Sequence, residues 1–305
     1  MSQNKKSWVS FITVLIFIAF ISFSYAANSD QLIEMKESKY NNIYIYKKGS
    51  YVSMNFGHNL RFYTESVYNE QNERELPVIY TRYMTVSLAY TKPINSIVQI
   101  GLGGGRTSWY VHKHLPETLV TAVEIDPDVI ALAKKYFGIK EENNFKIEAS
   151  DGRLFLVKSK GGYDIIFIDA YRGPFVPFHL LTKEFYNLVK SKLKSGGVLI
   201  QNIEPSTMLF DSAIATIKSI FNNIELYNAN GNMVCIAYDG SLRTVEQLNQ
   251  NAAYLQRQYH LYYDLTRMIS ERRLLTEVPK VKPLTDDFAP VEYLNAIKKH
   301  NLKRN

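Results

Sequence analysis

Apolar and polar positions alternate through "YNNIYIYKKGSYVSMNFGHNLRFY", residues 40–63, with turn chemistry at Lys48-Gly49-Ser50 and Gly57-His58-Asn59. A period of two with hairpin punctuation predicts a small antiparallel unit of two or three strands. The stretch "PVIYTRYMTVSLAY", from Pro77 to Tyr90, predicts a helix with proline at its start. From residue 95 onward the pattern changes to short Ile- and Val-rich runs: "SIVQIG", "LVTAVE", "FKIE", "YDIIFIDA" and "GVLIQN". Helical periodicity separates several of them, at Thr107 to His114, Pro127 to Phe137 and Thr182 to Leu193.

Strands that alternate with helices imply a parallel sheet covered on both faces. The segments "NIELYNA" and "NMVCIAY", joined at Asn230-Gly231, predict a closing antiparallel hairpin. The expected fold class is therefore α/β: a Rossmann-like, methyltransferase-type parallel sheet with a closing antiparallel hairpin, preceded by a small N-terminal β unit. After Ser241, two or three amphipathic helices should lead to "PLTDDFAPVEYL".

The first residues stand outside this pattern. Lys5 and Lys6 precede "WVSFITVLIFIAFISFSYA", an apolar run ending in small residues at Ser24 and Ala26. That is the grammar of an export signal cut after Ala26; an uncleaved membrane anchor is the rival reading. The expected organisation is a signal or anchor at 1–26, the β unit and linking helix at 27–92, and a nucleoside-binding catalytic domain at 93–305. The expected location is periplasmic or secreted, with membrane attachment only if the segment stays uncleaved. No cysteine lies near the cut, which excludes a lipoprotein, and Cys235 is the only cysteine, which excludes an intramolecular disulfide.

A formal net charge of +7 is spread along the chain and densest in the tail "KKHNLKRN". Without a nucleic-acid-binding motif this reads as a solvated end, and no nucleic-acid partner is expected.

Candidate chemistry gathers where the strands end. Gly101, Gly103, Gly104 and Gly105 follow the first parallel strand and precede its helix, the place where such sheets bind ligands close to the backbone. Glu124 closes the second strand about twenty residues later, where a carboxylate can accept both hydroxyls of a ribose. Asp126 is placed to cap the helix that Pro127 begins and is counted with the same binding set. Asp151 and Gly152 follow the third strand, where an adenine amino group would be met, and Asp169 ends the fourth. Glycine, glutamate and two aspartates at successive strand ends point to a nucleoside ligand. His112 and His114 are expected at the surface, whereas His179 is a candidate for the pocket. No metal site is expected. Tyr171, Phe175 and Phe178 crowd one loop, either as a wall for a cation or as packing.

The ordered set from Gly101 through "VEIDPDVIALAKKYF", "SDGRLFL", "YDIIFIDAY" and "LLTKEFYNLVKSKLKSGGVLIQN" resembles the spermidine synthase family of polyamine aminopropyltransferases, in a divergent branch. The resemblance spans roughly residues 38–294. It implies that Glu124 binds the ribose of decarboxylated S-adenosylmethionine, that Asp151 and Gly152 hold its adenine, and that Asp169 is the general base for a small-molecule amine acceptor. It also brings a homodimer into the expectation.

Three positions depart from the family pattern. Gly104 stands where the family loop, GGGDGG, carries an aspartate; Arg172 replaces a second aspartate three residues after the catalytic one; Leu181 replaces a tyrosine. Cations near an amine pocket repel diamines and suit a carboxylate. Arg106 and Arg172 are therefore candidates to pair with the carboxylate of intact S-adenosylmethionine, with solvent exposure as the bland alternative. Tyr171 and His179 complete the pocket candidates. The leading expectation is an aminopropyltransferase. An alkyl or methyl transferase using intact S-adenosylmethionine, and a non-catalytic nucleoside-binding protein, are the alternatives.

Overall fold

The computed structural model describes residues 30–58, 61–173, 175–207 and 209–287; the N-terminal segment expected to act as an export signal or anchor and the basic tail lie outside them. Among the described residues no helix is long and apolar enough to cross a membrane.

The N-terminal unit has four strands rather than two or three: β1 (Gln31–Glu37), β2 (Asn42–Lys48), β3 (Tyr51–His58) and β4 (Arg61–Asn69), antiparallel in that order. The alternation read from the sequence holds in its centre. Ile43, Ile45, Val52, Met54 and Phe56 are buried on one face. The outer strand β1 is mostly exposed, so its sequence carries no alternation to read.

The linking helix is shorter than expected. Pro77 and Val78 stay outside it, α1 covers Ile79–Met84, and a 3₁₀ segment takes over at Thr85–Tyr90. Hydroxyls cause the tightening: Thr85 Oγ1 donates to the Arg82 carbonyl at 2.6 Å and Ser87 Oγ to that of Met84 at 2.7 Å.

Strands and helices then alternate: β5 (Ser96–Ile100), α2 (Arg106–His114), β6 (Leu119–Glu124), α3 (Pro127–Tyr136), β7 (Phe145–Ala149), α4 (Gly152–Lys158), β8 (Tyr163–Ile168), α5 (Lys183–Lys192), β9 (Leu193–Ile203) and α6 (Phe210–Lys218). The hairpin β10 (Asn223–Ala229) and β11 (Asn232–Tyr238) turns at Asn230 and Gly231, both at positive φ, as a two-residue primed turn requires. Two helices follow, α7 (Val245–Tyr259) and α8 (Leu265–Ile269), and then an unexpected two-residue strand, β12 (Arg273–Leu274). Helix α4, seven residues long, is too brief for its periodicity to have been read.

The sheet order is β12-β10-β11-β9-β8-β5-β6-β7, parallel from β9 to β7 and antiparallel at the hairpin side. The chain reverses direction across the sheet between β5 and its neighbours β6 and β8, which opens a crevice at their carboxyl ends. Apolar side chains fill both faces, Val98 and Ile166 on one and Ile97 and Phe167 on the other. The N-terminal sheet packs Ile43, Ile45 and Met54 against Val129 and Leu132 of α3, which sets that sheet over the crevice.

Candidate active site

The carboxyl ends of β5, β6, β7 and β8 form the floor of a solvent-open cleft of about 760 Å³. Register brings them level: Ile100 pairs with both Val123 and Ile168, and Glu124 pairs with Ala149. Asn41, Phe56, Glu65 and Ser66 of the N-terminal unit supply the opposing wall.

Gly101 has φ +87°, and a Cβ there would collide with the carbonyl oxygen of Asp169. The close approach that demands glycine is thus the end of β8. Gly101 and Gly103 line the cleft, but Gly104 and Gly105 do not. This corrects their assignment to ligand binding. Gly104 is crowded by Phe137 and Ser66, and its N–H donates to Ser66 Oγ at 2.7 Å; Gly105 fits beneath Ile139. Those two glycines accommodate protein neighbours.

Glu124 lines the cleft and accepts N–H bonds from Leu102 at 2.9 Å and Asp126 at 3.1 Å. Burial raises its pKa while these donors pull the other way. Asp126 belongs to the scaffold rather than the ligand set. It caps α3 through the Asp128 N–H at 3.0 Å, accepts the Ser38 hydroxyl at 2.5 Å, and is buried away from the cleft. Asp151 caps α4 through the Leu154 N–H at 2.8 Å and meets His179 Nε2 at 3.2 Å, a contact that leads in holding its carboxyl below the usual range. Gly152 and His179 line the same end of the cleft.

Asp169 sits at the centre. Its carboxylate accepts from Asn202 Nδ2 at 3.0 Å and from the Tyr80 hydroxyl at 3.2 Å. Asn232 donates to Asn202 Oδ1 at 3.0 Å, which leaves the Asn202 amide N–H to face Asp169. Burial pushes Asp169 up to about 6 against the pull of both donors. Tyr171 lines the cleft beside it, its hydroxyl held on the Asn202 carbonyl at 2.9 Å, whereas Phe175 is buried.

Neither arginine lines the main cleft. Arg106 is buried, donates to the Phe137 carbonyl at 2.9 Å and to that of Glu73, and stacks on the Tyr68 ring at 4.4 Å. Burial lowers its pKa to about 10. It latches α2 to the N-terminal unit and is therefore not a solvent-exposed cation; its Nε has no protein partner, and it lines a smaller pocket together with Glu65, Tyr80 and Asp169. Arg172 is exposed and does not line the cleft. His112, expected at the surface, is buried between Trp109 and Phe145 with Nε2 2.9 Å from Glu142.

Among the cleft residues and their supports that the sequence pattern does not single out are Asn202, Tyr80, Glu65 and Ser66. Asn202 ends β9 as Asp169 ends β8, and that shared position was a usable signal. Tyr80 lay within a helix read only for its periodicity. Glu65 and Ser66 carried no signal, because β4 is bulged between them and the next ladder pair: Met54 pairs with Ser66 but Asn55 with Thr64. Glu65 is the extra residue, and the bulge turns both it and Ser66 toward the cleft.

Sheet order and strand-end carboxylates define a Rossmann-like α/β protein of methyltransferase type. A family model described as the spermine/spermidine synthase domain matches residues 78–241. The chain belongs to the spermine/spermidine synthase family. It is 32% identical over 194 residues to a polyamine aminopropyltransferase of Vibrio vulnificus strain CMCP6, covering 62% of this chain and 65% of that relative, just under two thirds of its length. A probable spermidine synthase from Corynebacterium glutamicum ATCC 13032 superposes with TM-score 0.68 at 16% identity, over 84% of this chain and 97% of that one. A spermidine synthase in complex with the transition state analogue AdoDATO superposes with TM-score 0.63 at 20% identity, over 79% and 83%. At those identities the superpositions speak for the fold.

Proposed function

We infer that this protein transfers an aminopropyl group from decarboxylated S-adenosylmethionine to an amine, with Asp169 as general base. The observation that carries this reading is the convergence of Glu124, Asp151 and Asp169 on one cleft, with Asp169 oriented by Tyr80 and Asn202. Family membership supports it, as does the aminopropyltransferase named above.

In the proposed reaction Glu124 accepts the ribose hydroxyls and the Asp151 end receives the adenine. The acceptor nitrogen attacks the methylene carbon next to the sulfonium. The N–C bond forms as the C–S bond breaks, its electron pair stays on sulfur, and neutral methylthioadenosine departs. The nitrogen's surplus proton passes to Asp169 and then to water. A recessed carboxylate with a raised pKa is a better proton acceptor than a solvated one, and the same desolvation eases the ammonium toward its neutral form.

Electrostatics favour the decarboxylated donor over intact S-adenosylmethionine. The cleft lining includes Glu65, Glu124 and Asp169 and holds no lysine or arginine, so a substrate carboxylate would meet repulsion. Incubation with the decarboxylated donor and a panel of diamines should release methylthioadenosine. Asp169→Asn should lower kcat by about 10²–10⁴-fold while leaving methylthioadenosine binding near wild type. Turnover with intact S-adenosylmethionine alone would overturn the assignment.

A further inference from the structure

The geometry points to Glu65 as the residue that holds the terminal ammonium of the transferred propylamine group, a specificity determinant supplied by the N-terminal sheet in place of the glycine loop. The inference rests on the aminopropyl reading above and names the group that selects its donor.

The glycine loop offers no side chain to a cation: Gly103, Gly104 and Gly105 stand in succession, and the next residue, Arg106, is itself a cation that gives its two terminal nitrogens to backbone carbonyls and keeps a buried Nε without a protein partner. A propylammonium group reaching past the sulfonium would still need an anionic partner. Glu65 lies where one can be supplied. It lines the cleft together with Gly101, Gly103 and Asp169, and its neighbour Ser66 is bonded to the loop through the Gly104 N–H.

The state of Glu65 is the second observation. Its Oε1 is sealed from solvent and has no hydrogen-bond partner in the protein. A buried carboxylate oxygen left unpaired costs folding free energy, and native chains seldom keep one without a use. Burial first, then the charges of Asp169 and Glu124, drive its pKa well above the usual carboxylate range. An ammonium placed between Glu65 and Asp169 relieves all three effects at once, since it supplies donors, opposite charge and company for both carboxylates. The β4 bulge is the device that aims it. In a regular strand Glu65 and Ser66 would face opposite sides, and only one could reach the cleft.

The test compares calorimetric binding of decarboxylated S-adenosylmethionine and methylthioadenosine to wild type and Glu65→Gln. The second ligand shares the nucleoside but lacks the amine, so it also reports on folding. The variant should bind the aminated ligand at least about ten-fold more weakly, as expected for loss of a charged hydrogen bond, and methylthioadenosine unchanged. Glu65→Asp, which keeps the charge on a shorter stem, should fall between. Equal affinity of wild type and Glu65→Gln for the aminated ligand would overturn the ammonium role yet leave the transferase reading intact, as turnover would show. Parallel loss of both ligands would assign Glu65 to the scaffold and overturn it too. If wild type binds neither ligand, both readings fall.

Discussion

At the scale of single residues, Asp169 couples the proposed chemistry to pH. Its pKa in the folded chain is about 6, raised by burial from a usual value near 4. Between those values the folded chain keeps a proton that the unfolded chain has released, so stability falls as pH rises through the window. The penalty is complete above about pH 6 and is on the order of 3 kcal/mol. Glu65 and Glu124, which face the same cleft, have raised pKa values and act in the same direction. Asp169→Asn should therefore melt higher than wild type at pH 8, with the gap closing below about pH 4. Catalysis runs the other way: kcat/KM of wild type should decline as pH drops through about 6, because Asp169, the proposed base, becomes protonated. A single pH series of melting and turnover measures both trends.

At the scale of elements, the glycine loop and α2 are held from the N-terminal side. Arg106 joins α2 to the carbonyls of Phe137 and Glu73 and to the Tyr68 ring. Arg106→Ala should cost about 2–4 kcal/mol, a fall in Tm of roughly 5–10 °C, from two lost buried hydrogen bonds and a cation–π contact. It should not alter the preference between decarboxylated and intact S-adenosylmethionine; a change in that preference would return Arg106 to the binding site. Gly101→Ala should be more damaging, because positive φ and the Asp169 carbonyl exclude a methyl together. Its signature would be a displaced Asp169 and lost turnover even in molecules that still fold.

At the scale of the whole molecule, the cleft exists only between two sheets. The large sheet supplies Glu124, Asp151 and Asp169, and the small one supplies Glu65 and Ser66. The same small sheet covers Val129, Leu132 and Phe137, three buried side chains worth roughly 1.5–3 kcal/mol each. A chain beginning at Pro77 should expose that apolar face, bind a hydrophobic dye and lose methylthioadenosine affinity. A truncated chain that kept both solubility and affinity would show that the N-terminal sheet is dispensable.

The sequence by itself determined the α/β class, the strand cores and the places where Glu124, Asp151 and Asp169 emerge. The reason is local: period, turn chemistry and strand ends are written within a few residues of each site, and a parallel sheet carries every such end to one edge. Asn202, near the end of β9, is legible by the same logic. Tertiary structure alone decided which further polar residues, from outside the parallel sheet, face the cleft. Glu65 reaches it through a bulge that breaks the period on which strand reading depends. Tyr80 meets Asp169 across 89 positions of chain, and Arg106 meets Glu73 across 33. Such pairings are set by how two sheets pack, and packing depends on shape and desolvation summed over distant residues, a quantity that no short stretch of sequence contains.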